Sequence, residues 1–443
     1  MSKRNFILLI ILLIIILLVL FSIFYTKKPP IETVEDASTD TSFLTNFWPF
    51  KKNNPKDSNT ENTADISNDG NTTEDTTDTE KLKIIKVSSM PVAGYTAFIK
   101  ESFINVPIIT PDPNTEQTVN NTTPVAPPTE KAVALRYVDR ATGNVYQTFA
   151  KEINERKITD TLIPRVQESF FADKGESVIM RYLKEDGKTI SSFAGKLPSD
   201  ILGGDASSQK VNGSFLLENI QDISISPDDS QIFYLSNLGD NATGVRANAL
   251  GINKTQIFSS PFTEWLSSWP NENVITLTTK PSAQVPGYSY VLDPNTKKFS
   301  KTLGGINGLT TLTSNDGKLI LYSNNNLSLN VYNTETKQNK ELNVRTLPEK
   351  CVWANDNNVL YCAVPKSVSG GLYPDTWYQG EVSFFDRIWK INIVNSSETI
   401  IADPFLVRDG EEIDGIKLSL DENEDYLFFV NKKDSYLWKI ELR

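Results

Sequence analysis

One short unit recurs along the C-terminal two-thirds of this chain, and it limits the possible folds more than any other feature. Each copy is a strand of alternating apolar residues, a tight polar turn and a second such strand. The turns fall at residues 172–176, 226–230, 269–273, 314–318, 354–358 and 420–424. Alternation marks strands that bury one face. The Asp, Asn and Gly in the turns supply side-chain caps and positive φ. The copies are spaced mostly at roughly 40–55 residues, the length of a four-stranded propeller blade. An all-β chain built of such units closes into a ring of blades, a β-propeller.

A second class of turn, at 139–144, 293–297 and 333–337, reads as the link between the third and fourth strands of a blade. A Trp-Lys-Ile pattern appears at 388–393 and again at 437–442, in matching third strands. Blades then begin near Ser88, Ile163, Ile220, Thr263, Gly308, Lys350 and Ile413, which makes seven. The last has three strands before the chain stops, while 82–87 is a spare strand ahead of the first blade. If the spare strand completes the last blade, the ring closes without an open edge. Six or eight blades stay open as readings because 196–215 is poorly patterned. The propeller is expected over 81–443. Its first-to-second and third-to-fourth strand turns share one face, where the outer closing strand also enters.

Ahead of it, residues 6–25 form an uncharged apolar run of about twenty residues, enough to cross a bilayer core as a helix. No small-x-small cleavage pattern ends the run, so it reads as an uncleaved anchor over 1–28. Lys3 and Arg4 precede it and acids follow, which favours a plasma-membrane single-pass topology with the body on the extracytoplasmic side. Residues 29–80 read as a linker. Its aromatic patch at 43–50 either lies in a headgroup layer or docks on the protein's own surface. Its acidic part, about 28 residues long, has almost nothing apolar to offset ordering and is expected to be disordered, spanning on the order of 30 Å.

Composition narrows the function. With 44 basic against 55 acidic side chains, the net charge is −11, which argues against nucleic acid as a partner. There is no histidine, so Ser-His and Cys-His machinery and His-based zinc sites are excluded. No phosphate-cradling glycine loop is present, and Ser207 with Lys210 matches a nucleophile pattern only by chance spacing.

Ser226-Pro227-Asp228 followed by Ile232-Phe233-Tyr234 resembles the blade motif of TolB-type, WD-repeat-like propellers. Pro91-Val92-Ala93-Gly94, Thr263-Glu264-Trp265, Lys350-Cys351-Val352-Trp353 and Asp375-Thr376-Trp377-Tyr378 resemble segments of an uncharacterised family of single-helix-anchored propellers from candidate-phylum bacteria. So does Arg136-Tyr137-Val138-Asp139 with the Thr142-Gly143 that follows. The resemblance implies a propeller fold and an envelope location; it implies no activity.

The richest candidate site is the long loop between the second and third strands of the sixth blade. It carries Tyr373, Asp375, Trp377, Tyr378, Glu381 and Phe384. Exposed aromatics with a few polar groups make binding surfaces; the same residues packed on one another would plug the channel mouth. The acidic loop 408–414 and an insertion at 105–131, rich in Pro, Thr and Asn, are expected on the same face. Cys351 and Cys362 sit at mirrored positions around a turn, so they either pair as a disulfide or pack as small core residues. The acidic loop is a calcium candidate and the acids at 421–425 a weaker one, but solvated charge and hairpin turn are the simpler readings. No metal or cofactor is expected. Glu264 and Asp222, near starts of inner strands, are the residue types that glycoside chemistry at a channel mouth requires. The expected function is therefore a membrane-anchored binding or scaffolding module of the cell envelope. Its loop-rich face would meet a protein, peptide or glycan. The alternative is a propeller-type hydrolase or lyase using acids at the mouth.

Overall fold

A computed structural model of the protein describes residues 84–103, 128–199, 209–406 and 411–443. The anchor and linker expected at 1–80, most of the 105–131 insertion and part of the acidic loop lie outside these residues. Among the described residues, no helix is long and apolar enough to cross a membrane.

Seven four-stranded antiparallel sheets are present, which settles the blade number. Their first strands are Val92–Phe103, Val166–Ala172, Asp222–Ile225, Trp265–Asn271, Thr310–Thr313, Cys351–Trp353 and Gly415–Leu420. Each begins within a few residues of its expected start. First strands of several neighbouring blades pack on one another, so they line the central channel. The poorly patterned stretch that left six or eight blades open supplies Asn212–Phe215, the outer strand of blade 2.

The spare strand does complete the last blade. Ile84–Lys86 pairs antiparallel with Leu437–Glu441, matching Ile84 to Ile440 and Lys86 to Trp438. Val87 extends the join by donating its N–H to the Leu437 carbonyl at 2.7 Å. Blade 7 therefore has no open inner-to-outer gap, and the chain enters it from the turn face.

One assignment is corrected. The turn at 139–144 joins the second strand of blade 1, Thr129–Asp139, to the third, Val145–Phe149. It was expected between third and fourth strands. The described strands that flank the 105–131 insertion, Val92–Phe103 and Thr129–Asp139, are accordingly the first and second strands of blade 1. Asx-type turn chemistry is the same wherever strands reverse, so such a turn does not reveal which two strands it joins.

The core lies between blades. Apolar clusters fill six of the seven junctions, such as Val92, Leu135, Tyr137, Phe428 and Leu437 between blades 7 and 1. At the junction of blades 4 and 5, hydroxyl pairs stand in that place: Thr276 with Thr313 at 2.7 Å, and Thr278 with Thr311 at 2.6 Å.

Candidate functional site

The blade-6 loop lies between the strands Val359–Pro365 and Asp386–Asn392. Pro374 starts a single helical turn, Asp375–Tyr378, which buries Trp377. Tyr373, Trp377 and Phe384 are each at most 3% exposed and pack with Leu327 and Leu347 into a seventh apolar cluster. The rings of Trp377 and Phe384 stack at 6.1 Å. The Asp375 carboxylate accepts the Ala283 N–H at 2.8 Å, reaching across to blade 4. Lys432 of blade 7 donates to the Trp377 carbonyl at 2.8 Å. The loop is thus a plug seated on blades 4 to 7. Among the described residues, its polar contacts do not extend to blades 1, 2 or 3.

Beneath the plug is a wholly buried ion cluster. Lys350, immediately before the inner strand of blade 6, pairs with Asp386 at 2.8 Å and with Asp414. It also donates to the Gly415 carbonyl at 3.0 Å. Asp414 accepts further bonds from the Trp377 indole at 2.9 Å, the Phe384 N–H at 3.0 Å and the Ser383 hydroxyl at 3.2 Å. Burial opposes its charge, but the Lys350 ammonium prevails and holds its carboxyl below the ordinary value. Asp386 is less well served. It accepts the Gly415 N–H at 2.7 Å, its Oδ1 has no partner, and burial pushes its pKa up to about 6. Burial also works against the Lys350 charge, yet the two carboxylates raise its pKa. Two acids around one charged base in a dry site leave one acid, Asp386, inclined to hold a proton. The cluster ties blades 6 and 7 to the plug.

Two chambers open along the channel. One, of about 280 Å³, is lined by Asp222, Ser267, Thr278, Thr311, Glu349 and Tyr378 among others. Burial pushes Asp222 up to about 6 although it accepts both the N–H and the hydroxyl of Ser267. Burial likewise pushes Glu349 up to about 7, against the 2.6 Å hydrogen bond from Tyr378 and the charge of Lys350. The second chamber, of about 480 Å³, lies between blades 7, 1 and 2 and is lined by Tyr95, Glu168, Ser169, Lys417 and Ser419.

The six loop residues offered by the sequence therefore divide. Tyr373, Trp377 and Phe384 are interior, Asp375 is a strut, and Tyr378 turns its hydroxyl to Glu349 at the channel. Glu381 is exposed and accepts no side-chain bond in the plug. Asp222 faces the channel but Glu264 does not join it; Glu264 pairs with Lys280 at 2.8 Å on the exposed face. Cys351 and Cys362 are register partners joined as a disulfide. Glu411 and Glu412 of the acidic loop meet Lys86 at 3.4 Å and Lys433 at 2.7 Å. In the 421–425 turn, Asp421 spends its oxygens on the N–H groups of Asn423 and Tyr426.

The sequence reading missed Lys350, Asp386 and Asp414 as a unit, since they meet only when two blades are side by side. It also missed Lys417 and Glu168. The one available signal was Gly94 inside an inner strand, because such a glycine marks a bulge or a close backbone approach. An added Cβ there would fall 2.1 Å from the Ser169 carbonyl oxygen.

No protein-family model matches the chain, and neither does any curated protein. Solved structures similar to it include an oligogalacturonate lyase in complex with manganese, at 9% identity and TM-score 0.44, covering 70% of this chain and 86% of that one. A second oligogalacturonate lyase, from Vibrio parahaemolyticus, has 11% identity and TM-score 0.46 over 70% and 86%. A functionally unknown protein of Desulfotomaculum acetoxidans has 13% identity and TM-score 0.40 over 70% and 89%. Likeness at this level bears on no activity.

Proposed function

We propose that the chain is a membrane-anchored binding module whose loop-rich face meets a protein, peptide or glycan outside the cytoplasm. The observation that carries this reading is a polar-rimmed apolar hollow on that face. It measures about 310 Å³ and is lined by Lys366, Phe385, Phe405, Glu411, Glu412 and Ile413. Phe405 is 65% exposed and its neighbour Leu406 61% exposed, and Lys433 sits 3.8 Å over the Phe385 ring. Aromatic anchors framed by both signs of charge suit a specific contact. The plug supports the surface from below, because Phe385 lies between the buried Phe384 and Asp386. The apolar run at 6–25 supports the anchor.

Replacing the whole loop would also remove core aromatics, so the test uses point changes at the rim. The full chain and its Phe385→Asp/Phe405→Asp variant are captured from membranes after crosslinking. A partner retained by the first and lost by the second is the expected result. An identical partner set for both would sink the reading.

The alternative, a propeller-type hydrolase or lyase, has one observation in its favour. Asp222 and Glu349 line the same chamber, with pKa values pushed up to about 6 and about 7, the range useful to a general acid. Release of sugar fragments from envelope polysaccharide, abolished by Glu349→Gln, would favour it.

A further inference from the structure

The plug rests on blades 4 to 7, and the opposite sector of the mouth has its own construction. The inner strands of blades 7, 1 and 2 each break register near their start: at Ile416/Ser419, at Val92/Gly94 and at Val166/Glu168. Bulges re-aim side chains and gather beside functional sites. Here the blade-7 bulge holds Lys417 at φ 53°, left-handed backbone that a lysine adopts only under constraint. The result is a side chain turned into the 480 Å³ chamber.

Charges in this sector do not balance. Lys417 leans on Glu168 at 3.7 Å, and Arg181 holds the other Glu168 oxygen at 2.6 Å. Burial lowers the Lys417 pKa, and the charges of Arg140 and Arg181 lower it further against the pull of Glu168. Lys417 and Arg181 share the one Glu168 carboxylate, two cations on one anion, which leaves one positive charge in excess. Donors are also left over. An ammonium has three N–H groups; one goes to the Ala93 carbonyl at 3.1 Å and one toward Glu168. Ser169, only 5% exposed and part of the chamber wall, has its hydroxyl oxygen without a protein partner. Phe170, Phe171, Ile225, Leu418 and Leu420 complete the lining with apolar surface.

We propose that this chamber binds a small organic molecule through a single carboxylate, taken by Lys417 and the Ser169 hydroxyl, with the apolar body of the ligand against the chamber wall. One excess positive charge suits a monoanion, and the Glu168 carboxylate beside it disfavours a dianion. The site is separate from the blade 6–7 hollow, so either proposal can fail without the other.

The probe is phenylacetate, with phenylacetamide as its neutral isostere and phenylphosphonate as a dianion, each titrated into the full-length chain in detergent and followed by ligand-observed NMR. Phenylacetate is expected to bind at least about tenfold tighter than the amide, the scale of one charge-assisted hydrogen bond. Lys417→Met is expected to weaken it about 10- to 100-fold and leave the amide unchanged. Ser169→Ala, a milder change that keeps the fold should Lys417→Met not, is expected to weaken it several-fold at unchanged Tm. Absence of phenylacetate binding, equal binding of the amide, or affinity insensitive to both substitutions overturns the proposal. Tighter binding of phenylphosphonate overturns the assignment to a carboxylate.

Discussion

Replacing Lys350 with methionine is the sharpest test of how the plug is held. The substitution keeps length and apolar bulk and removes only the ammonium. Asp414 retains donors from Trp377, Ser383 and Phe384. Asp386 retains only the Gly415 N–H. Both carboxyls stay wholly enclosed, beneath rings whose centroids are 5.2 and 5.4 Å from the vanished nitrogen. Breaking such a cluster from one side costs about 3–5 kcal/mol, because the surviving charge is stranded. The folded unit, Thr77–Arg443, has 367 residues. At about 2.1 cal/mol/K of unfolding entropy per residue, that cost lowers Tm by roughly 4–7 °C. The assay is urea unfolding followed by tryptophan fluorescence, with Trp377 as a local reporter. Adding Asp386→Asn removes the stranded charge while keeping an acceptor for Gly415, so the double variant should return to within about 1–2 kcal/mol of the parent. A loss below about 1 kcal/mol for Lys350→Met, the scale of a surface ion pair, would refute the reasoning. So would a double variant no better than the single one.

The pH profile of stability should be tilted toward acid. Burial raises Asp222, Asp229 and Asp386 to about 6 and Glu349 to about 7, so the folded chain keeps protons there that the unfolded chain releases near pH 4. Their contribution is full below about pH 4 and is lost as pH rises through 6 to 7. Asp228 is lowered by bonds from Ser226 and Ser230, and Asp414 and Asp403 are held low by lysine and arginine against burial; these contributions are lost on acidification. Tm should therefore peak near pH 4, and Asp386→Asn should flatten the fall between about pH 4 and 6; a Tm rising steadily to pH 8 contradicts this. Deleting residues 1–86 should expose the backbone edge of Leu437–Glu441 and shift the chain toward dimers and larger species by sedimentation velocity. A peptide spanning 81–87 should reverse the shift, and a truncated chain that stays monomeric at the parent Tm would contradict the closure.

Much of the ring was legible because its signals are local. Turns such as Ser314-Asn315-Asp316-Gly317 carry their own caps, with the Ser314 hydroxyl donating to Asp316 at 2.6 Å, so they show in one window of sequence. The match between a spare strand at 82–87 and an unfinished last blade needed only counting. What escaped depends on neighbours in space. In Ile416-Lys417-Leu418, alternation makes the lysine look solvent-facing, and only the bulge turns it into the channel. Lys350 reads as an ordinary residue before a strand; its two partners lie 36 and 64 positions further on, brought together by the packing of blades 6 and 7. The blade-6 aromatics were visible as a group, but whether they face inward or outward turns on Asp414 and Lys432, which belong to another blade.

The closing strand also sets a timetable. Ile84 leaves the ribosome long before its partner Ile440, with about 350 residues between them. At about 5–20 residues per second, synthesis alone keeps that strand waiting for roughly 20–70 s. Blades 1 to 6 draw all their strands from consecutive sequence and can form in the order they emerge. The first of the described strands to be made is the last one placed. A contact spanning nearly the whole propeller is also slow to find once the chain is complete. Throughout that interval Ile84-Ile85-Lys86 is an unpaired β-forming stretch beside a growing ring, and the charge of Lys86 within it guards it from other chains.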